Sequence, residues 1–175
     1  MGAEELTSAV ADAGPLIHLG EIGGLALLRI FETLHIPDAV WMETVEQGRV
    51  VRHDVVGLRS VRRHTFPQPD VLRFTQENGL NALHNGEREC LCLCRQAGVS
   101  ILLTDDLAVR EAAKRLNLTP VGSLGIVIKA YQLGRVSLAE AESHMIDLYD
   151  VSSLFVTKVI VELAIERLRS YSGQG

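Results

Sequence analysis

Positive charge is scarce in this 175-residue chain, and so are cysteine, proline and aromatic side chains. Lys and Arg number 17 against 22 Asp and Glu, a net charge of −5, which argues against a surface that coats nucleic acid throughout. The three cysteines all fall in Cys90-Leu-Cys-Leu-Cys94. On a helix Cys90 and Cys94 share a face while Cys92 points elsewhere. No distant ligands complete a zinc set, so the three read as small hydrophobes packed in a reduced core. No apolar run is long enough to span a bilayer, since the best stretch, 151–165, contains Lys158 and Glu162. The opening MGAEELTSAVADAG has acids where a secretion signal needs base. These features predict a cytoplasmic protein without membrane contact. Several catalytic signatures are missing too: there is no Gly-rich loop ending in GK[ST], no HExxH and no GxSxG. Neither Gly23-Gly24 nor Gly122-Ser-Leu-Gly125 makes a dinucleotide fingerprint, and the six histidines show no metal-ligand spacing.

What is present is a globular composition, 47% hydrophobic and 22% charged, enough for one domain with a real core. Charge is unevenly spread. Residues 49–73 hold Arg49, Arg52, Arg59, Arg62, Arg63 and Arg73 against Asp54 and Asp70, a +4 strip in a chain that is otherwise −9. A solvated loop and strand would account for that strip equally well.

Short apolar runs alternate with helical patterns. Strands are predicted at Ser8–Ala11, Leu34–Ile36, Val61–Phe66, Ile101–Leu103 and Thr119–Val121. Helical spacing is read from Leu16 to Ile22, and Leu25 to Phe31 reads as a second helix start. Asp38 is expected to cap a helix running to about Gly48, and Gly86 to open one ending at Gly98. Further helices are predicted over 106–116, 122–133, 138–149 and 155–171, with 172–175 a frayed tail. Strands separated by helices predict a parallel α/β sheet covered on both faces, whose functional site lies beyond the carboxyl ends of the strands.

Acids gather at those ends. Asp12 follows the first strand, and Asp105 and Asp106 follow Ile101–Leu103. Glu43 lies in the helix after the second strand and, flanked by Val40, Trp41 and Val45, is expected to face inward. Glu87 opens the helix at Gly86. Each has an ordinary alternative: a turn residue for Asp12, a helix-dipole partner for Glu87, an N-cap for Asp106. Crowded together without a counter-charge they repel, and a hard divalent cation with oxygen ligands, magnesium or manganese rather than zinc, relieves that repulsion.

The order of these acids resembles that of the PIN-domain nucleases, the family that includes the VapC toxins of toxin–antitoxin pairs. The resemblance runs from about residue 8 to about 168. It rests on Asp12 in Ala11-Asp-Ala-Gly-Pro-Leu-Ile17, on Ile36-Pro-Asp-Ala-Val-Trp-Met-Glu43, on Gly86-Glu-Arg-Glu89 and on Thr104-Asp-Asp106. Three departures stand beside it: Ala13-Gly14 replaces the hydroxyl residue often found after the first acid, the third acid is Glu87 rather than aspartate, and helices continue beyond about 122.

The resemblance implies a three-layer α/β/α sandwich forming one domain over 1–175, with the helices after about 122 packed on it. It implies an Mg2+- or Mn2+-dependent endoribonuclease for single-stranded RNA, in which water attacks the phosphate in line and leaves a 5′-phosphate. Asp12, Glu43, Glu87 and Asp106 carry over as the catalytic, metal-holding acids. Asp105 fills the variable slot as a further metal ligand, and Thr104 orients a carboxylate or water. Arg49, Arg52, Arg62, Arg63 and Arg110 become candidates for holding the RNA backbone; Arg110, one turn from Asp106, fits a local ion pair equally. A cognate antitoxin is an implied partner. The apolar surplus read in Leu16–Leu28 and Leu154–Leu168 predicts a homodimer. Two other readings stand beside this one: a PIN-like fold that binds RNA or protein without cutting, and an unrelated α/β protein whose acids are caps.

Overall fold

The computed structural model describes residues 6–173. Five parallel strands, β1 (Leu6–Ala11), β2 (Phe31–Pro37), β3 (Val61–His64), β4 (Ile101–Leu103) and β5 (Thr119–Val121), form one sheet in the order β3-β2-β1-β4-β5. Helices flank it: α1 (Ala13–Glu21), α2 (Asp38–Trp41), α3 (Arg52–Val56), α4 (Gln68–Glu77), α5 (Asn85–Ala97), α6 (Leu107–Arg115), α7 (Ser123–Gln132), α8 (Leu138–Asp150) and α9 (Lys158–Ser172). This is the three-layer α/β/α arrangement of a PIN-like fold. Among the described residues no helix is long and apolar enough to cross a membrane.

The central strand explains the core. Ala9, Val10 and Ala11 are wholly buried, as a strand covered on both faces must be, and Val10 and Ala11 pair with Leu102 and Leu103. The three cysteines of α5 are buried and unbridged, packed as small hydrophobes. The chain builds outward from β1 through β2 to β3, then returns to lay β4 on the other side of β1. The strand order therefore reverses between β1 and β4, and in open α/β sheets a crevice opens at such a reversal.

Several expectations need correction. Leu25–Ile30 is a 3-10 helix rather than an α-helix, and β2 starts at Phe31, three residues earlier than its apolar core suggested. Asp38 is not the cap of its helix: Pro37 holds that position, and the Asp38 carboxylate binds Arg63 and Thr65 on the β3 side. The helix does not stay α-helical either, because Met42–Glu46 is wound as a π-helix, with Gln47 N–H reaching the Met42 carbonyl five residues back. Helix α4 went unread, its start obscured by Pro67 and Pro69, the latter tolerated in a first turn where no intrahelical N–H partner is needed. At the other end Ser172 closes α9 and Gly173 caps it, while 174–175 lie outside the described residues. Residues 1–5 of the N-terminal segment read for a secretion signal also lie outside them. The apolar side chains Leu16, Leu19, Leu25, Leu27 and Leu28 are all absorbed by the chain's own core, so only the α9 region keeps a surplus.

Candidate active site

Asp12 stands at the carboxyl end of β1, and Thr104, Asp105 and Asp106 follow β4, so the strand reversal places all four at one crevice. A cleft of about 670 Å³ opens there, with Asp12, Glu43, Glu87, Asp105 and Asp106 on its walls, joined by His18 and His84. An added Cβ at Gly86 would sit 3.8 Å from Glu43 Oε2, which shows how closely the start of α5 approaches the π-turn.

Asp12 is the buried member, 7% exposed. Its Oδ1 accepts the Ala13 N–H at 2.8 Å and its Oδ2 accepts the Thr104 hydroxyl at 2.9 Å. The Thr104 oxygen in turn accepts the Asp106 N–H at 3.3 Å, so the hydroxyl ties the end of β1 to the start of α6. Burial pushes the Asp12 carboxyl up from 3.8 to about 6; the Ala13 and Thr104 bonds pull it down, and the nearby charges of Glu87 and Glu43 raise it again. A buried carboxylate pressed by two more is a site that favours added positive charge.

Asp105 is held differently. Its Oδ1 accepts the Ser123 N–H at 2.7 Å, and its Oδ2 meets the Ser123 hydroxyl at 2.6 Å and His18 Nδ1 at 2.7 Å. The carboxylate thus caps α7 and clasps α1 to it. A glycine is needed beside it: a Cβ on Gly122 would lie 2.9 Å from Asp105 Oδ1 and 3.1 Å from Arg110 Nη1. Sequence reading passed over His18 and Ser123. The only signal was that Gly14 and His18 lie one turn apart on the helix that Asp12 opens.

The other acids keep partners of their own. Asp106 Oδ1 caps α6 through the Val109 N–H at 3.0 Å, Glu87 accepts the His84 N–H at 2.8 Å, and Glu43 lies 3.6 Å from Arg49. Contrary to expectation Glu43 does not turn inward; its side chain is 48% exposed on the cleft rim. Among the described residues no three His, Cys, Asp or Glu side chains stand close enough to hold a metal ion between them, as expected when like charges spread apart onto separate donors. The donor chemistry nonetheless fits a hard cation, since Asp12, Glu43, Glu87 and Asp106 offer only carboxylate oxygens. A family model described as a PIN domain matches residues 8–170.

The chain belongs to the PIN-domain family.

Among curated proteins none matches it. PIN domains are nucleases as a class, act on nucleic acid, and generally use divalent metal ions. In this PIN domain the arginines singled out from sequence do not act as one strip. Arg52 and Arg63 lie over the Trp41 ring at 5.5 and 5.3 Å, bound to Glu46 and Asp38 respectively, and Trp41 Nε1 also donates to Glu46 at 2.8 Å. Arg49 neighbours Glu43 at the rim, and Arg62 lies exposed on the edge strand β3. Arg110 donates to the Thr104 carbonyl at 3.3 Å, so it supports the end of β4 instead of pairing with Asp106. Glu89, unmarked in the sequence reading, is a buried acid outside the cleft that accepts the Ala39 N–H at 3.0 Å and so fixes α2 against α5.

Proposed function

We propose that this PIN domain is a metal-dependent endoribonuclease that cuts single-stranded RNA. One observation carries the reading: the buried Asp12 carboxyl, raised by Glu43 and Glu87, faces an open cleft at the sheet's carboxyl edge. Asp12, Glu43, Glu87 and Asp106 are the residues that would hold Mg2+ or Mn2+. Asp105, whose oxygens are engaged by Ser123 and His18, is assigned to positioning. The cation supplies charge for the phosphate oxygens and acidifies a water.

The chain's own residues do the rest. Thr104 fixes the rotamer of Asp12. Glu43 and Glu87, on the more accessible walls, are free to turn toward the cleft when a cation draws them. Attack in line on the scissile phosphate expels the 3′-oxygen and leaves a 5′-phosphate. The likeness to VapC extends the reading to a toxin restrained by a cognate antitoxin.

The test incubates the chain with labelled single-stranded RNA and Mn2+, beside Asp12→Asn and Asp106→Asn. Cleavage by the wild type alone, abolished by EDTA and giving 5′-phosphate ends, is the expected result. Cyclic phosphate ends, or full activity in EDTA, would refute it. A second reading, a PIN fold that binds RNA or protein without cutting, is favoured by the separate partners of the four acids. It predicts RNA binding with equal background cleavage in all three proteins.

A further inference from the structure

Helices α6, α7 and α9 and the edge strand β5 enclose a groove of about 840 Å³ that shares Asp105, Asp106, Leu154 and Phe155 with the acid cleft. The two concavities are therefore continuous. Beyond the two shared aspartates, every charged residue described along the groove is basic: Arg110, Lys129 and Arg167. In a chain of net charge −5 that local sign is not the average surface. Arg110 braces Thr104, and Arg167 donates to the Tyr171 hydroxyl through Nε, which leaves its terminal nitrogens facing outward.

Phe155 sits at the junction and is 100% exposed. Nothing in the fold is stabilised by it, yet its backbone is fixed. Two residues before it, the Ser153 N–H and hydroxyl bind the Glu21 carboxylate at 2.6 and 2.9 Å, tying the segment to the end of α1. The ring is a flat apolar face held in place beside carboxylates and followed by cations. Stacking platforms for unpaired bases combine the same elements, an aromatic face and a basic track for phosphates.

We propose, resting on the ribonuclease reading, that the RNA strand runs from the acid cleft into this groove. One base stacks on Phe155, and the following phosphates lie against Lys129 and Arg167. Because stacking tolerates any base, the contact sets strand state and register rather than sequence.

The experiment measures anisotropy of a labelled mixed-sequence single-stranded RNA on the full chain in EDTA, then kcat/KM in Mn2+. The variants are Phe155→Ala, Phe155→Trp, Lys129→Gln and Arg167→Gln; all four positions are outside the core, so folding is retained. Phe155→Ala should weaken binding by roughly 5- to 150-fold and Phe155→Trp should not. Each glutamine should lower the salt slope by about 0.7. If the wild type binds and cuts RNA while these variants match it in affinity and slope, the groove assignment fails and the ribonuclease reading survives. If the variants lose self-association in sedimentation yet keep RNA binding, the groove is a protein contact and the proposal is overturned. If the wild type neither binds nor cuts, both fall together.

Discussion

Asp12→Asn should stabilise the metal-free protein at neutral pH while removing its activity. The Asp12 carboxyl titrates at about 6 folded, against 3.8 ordinarily. A carboxyl raised on folding holds its proton more tightly in the native state, so stability falls as pH climbs from about 4 to about 6. At about 1.36 kcal/mol per pH unit, the wild type at pH 7.5 carries a penalty of about 3 kcal/mol. Asparagine has the same shape, accepts the Ala13 N–H through Oδ1, and has no charge to desolvate. Its amide suits the Thr104 hydroxyl less well than the Oδ2 that now accepts it, a loss of about 1 kcal/mol. The net gain is about 2 kcal/mol, a rise in Tm of roughly 4–8 °C for a chain of this size. Urea unfolding in EDTA at pH 7.5 and pH 4 measures it. The gain should vanish at pH 4, where both side chains are neutral, leaving the variant the weaker. A variant no more stable than wild type at pH 7.5, or a gain that persists unchanged at pH 4, would refute the reasoning.

Other outcomes follow from the same contacts. Thr104→Val leaves Asp12 Oδ2 and the Asp106 N–H unpartnered in a buried place, so it should cost about 1–3 kcal/mol in urea unfolding at pH 7.5. Asp105→Asn keeps the clasp but drops a charge; calorimetry should find Mn2+ affinity nearly unchanged, whereas Asp106→Asn should weaken it at least about tenfold, and equal losses would make Asp105 a ligand. Gly122→Ala drives a methyl into Asp105 and should cost about 1–3 kcal/mol in thermal melts, relieved if Asp105 is also replaced. His35 and His64, bonded at 2.8 Å across β2 and β3, are both held below 6.5, chiefly by burial. Their folded pKa values being depressed, they withdraw stability as pH falls below 6.5, and His35→Phe should flatten that acid slope. Exposed Val159, Ile160 and Leu163 on α9 are the apolar surface left for the expected homodimer; Leu163→Glu should shift sedimentation to monomer if α9 pairs there.

The sheet was legible because its strands are short apolar runs stopped by Asp12, Pro37, Thr104 and Gly122, and such stops survive folding. The acids could be placed because each sits at a strand end or a helix start, which local sequence marks. What escaped depends on distance along the chain. His18 meets Asp105 across 87 residues and Glu89 reaches Ala39 across 50, and no local pattern encodes either meeting. Asp38 looked like a cap because aspartate before a helix usually is one; β3 then supplied Arg63 and Thr65, which a reading of neighbours alone cannot weigh. Helix α4 was hidden by prolines that normally punctuate loops.

The π-turn at Met42–Glu46 has a consequence for how the chain counts. Residues five apart do not face each other on an α-helix, where neighbours are three or four apart; across a π-turn they do. That is how Trp41 comes to bond Glu46, and Glu46 is the anchor that lays Arg52 over the same indole. Deleting any one residue from 42–46 would close the turn to α-geometry and swing all that follows by roughly 100°. Glu46 would leave Trp41 and release Arg52. An insertion or deletion here would therefore act like a frameshift in space, changing every downstream orientation with no chemical group altered, and would free for the solvent a cation that the present count keeps occupied.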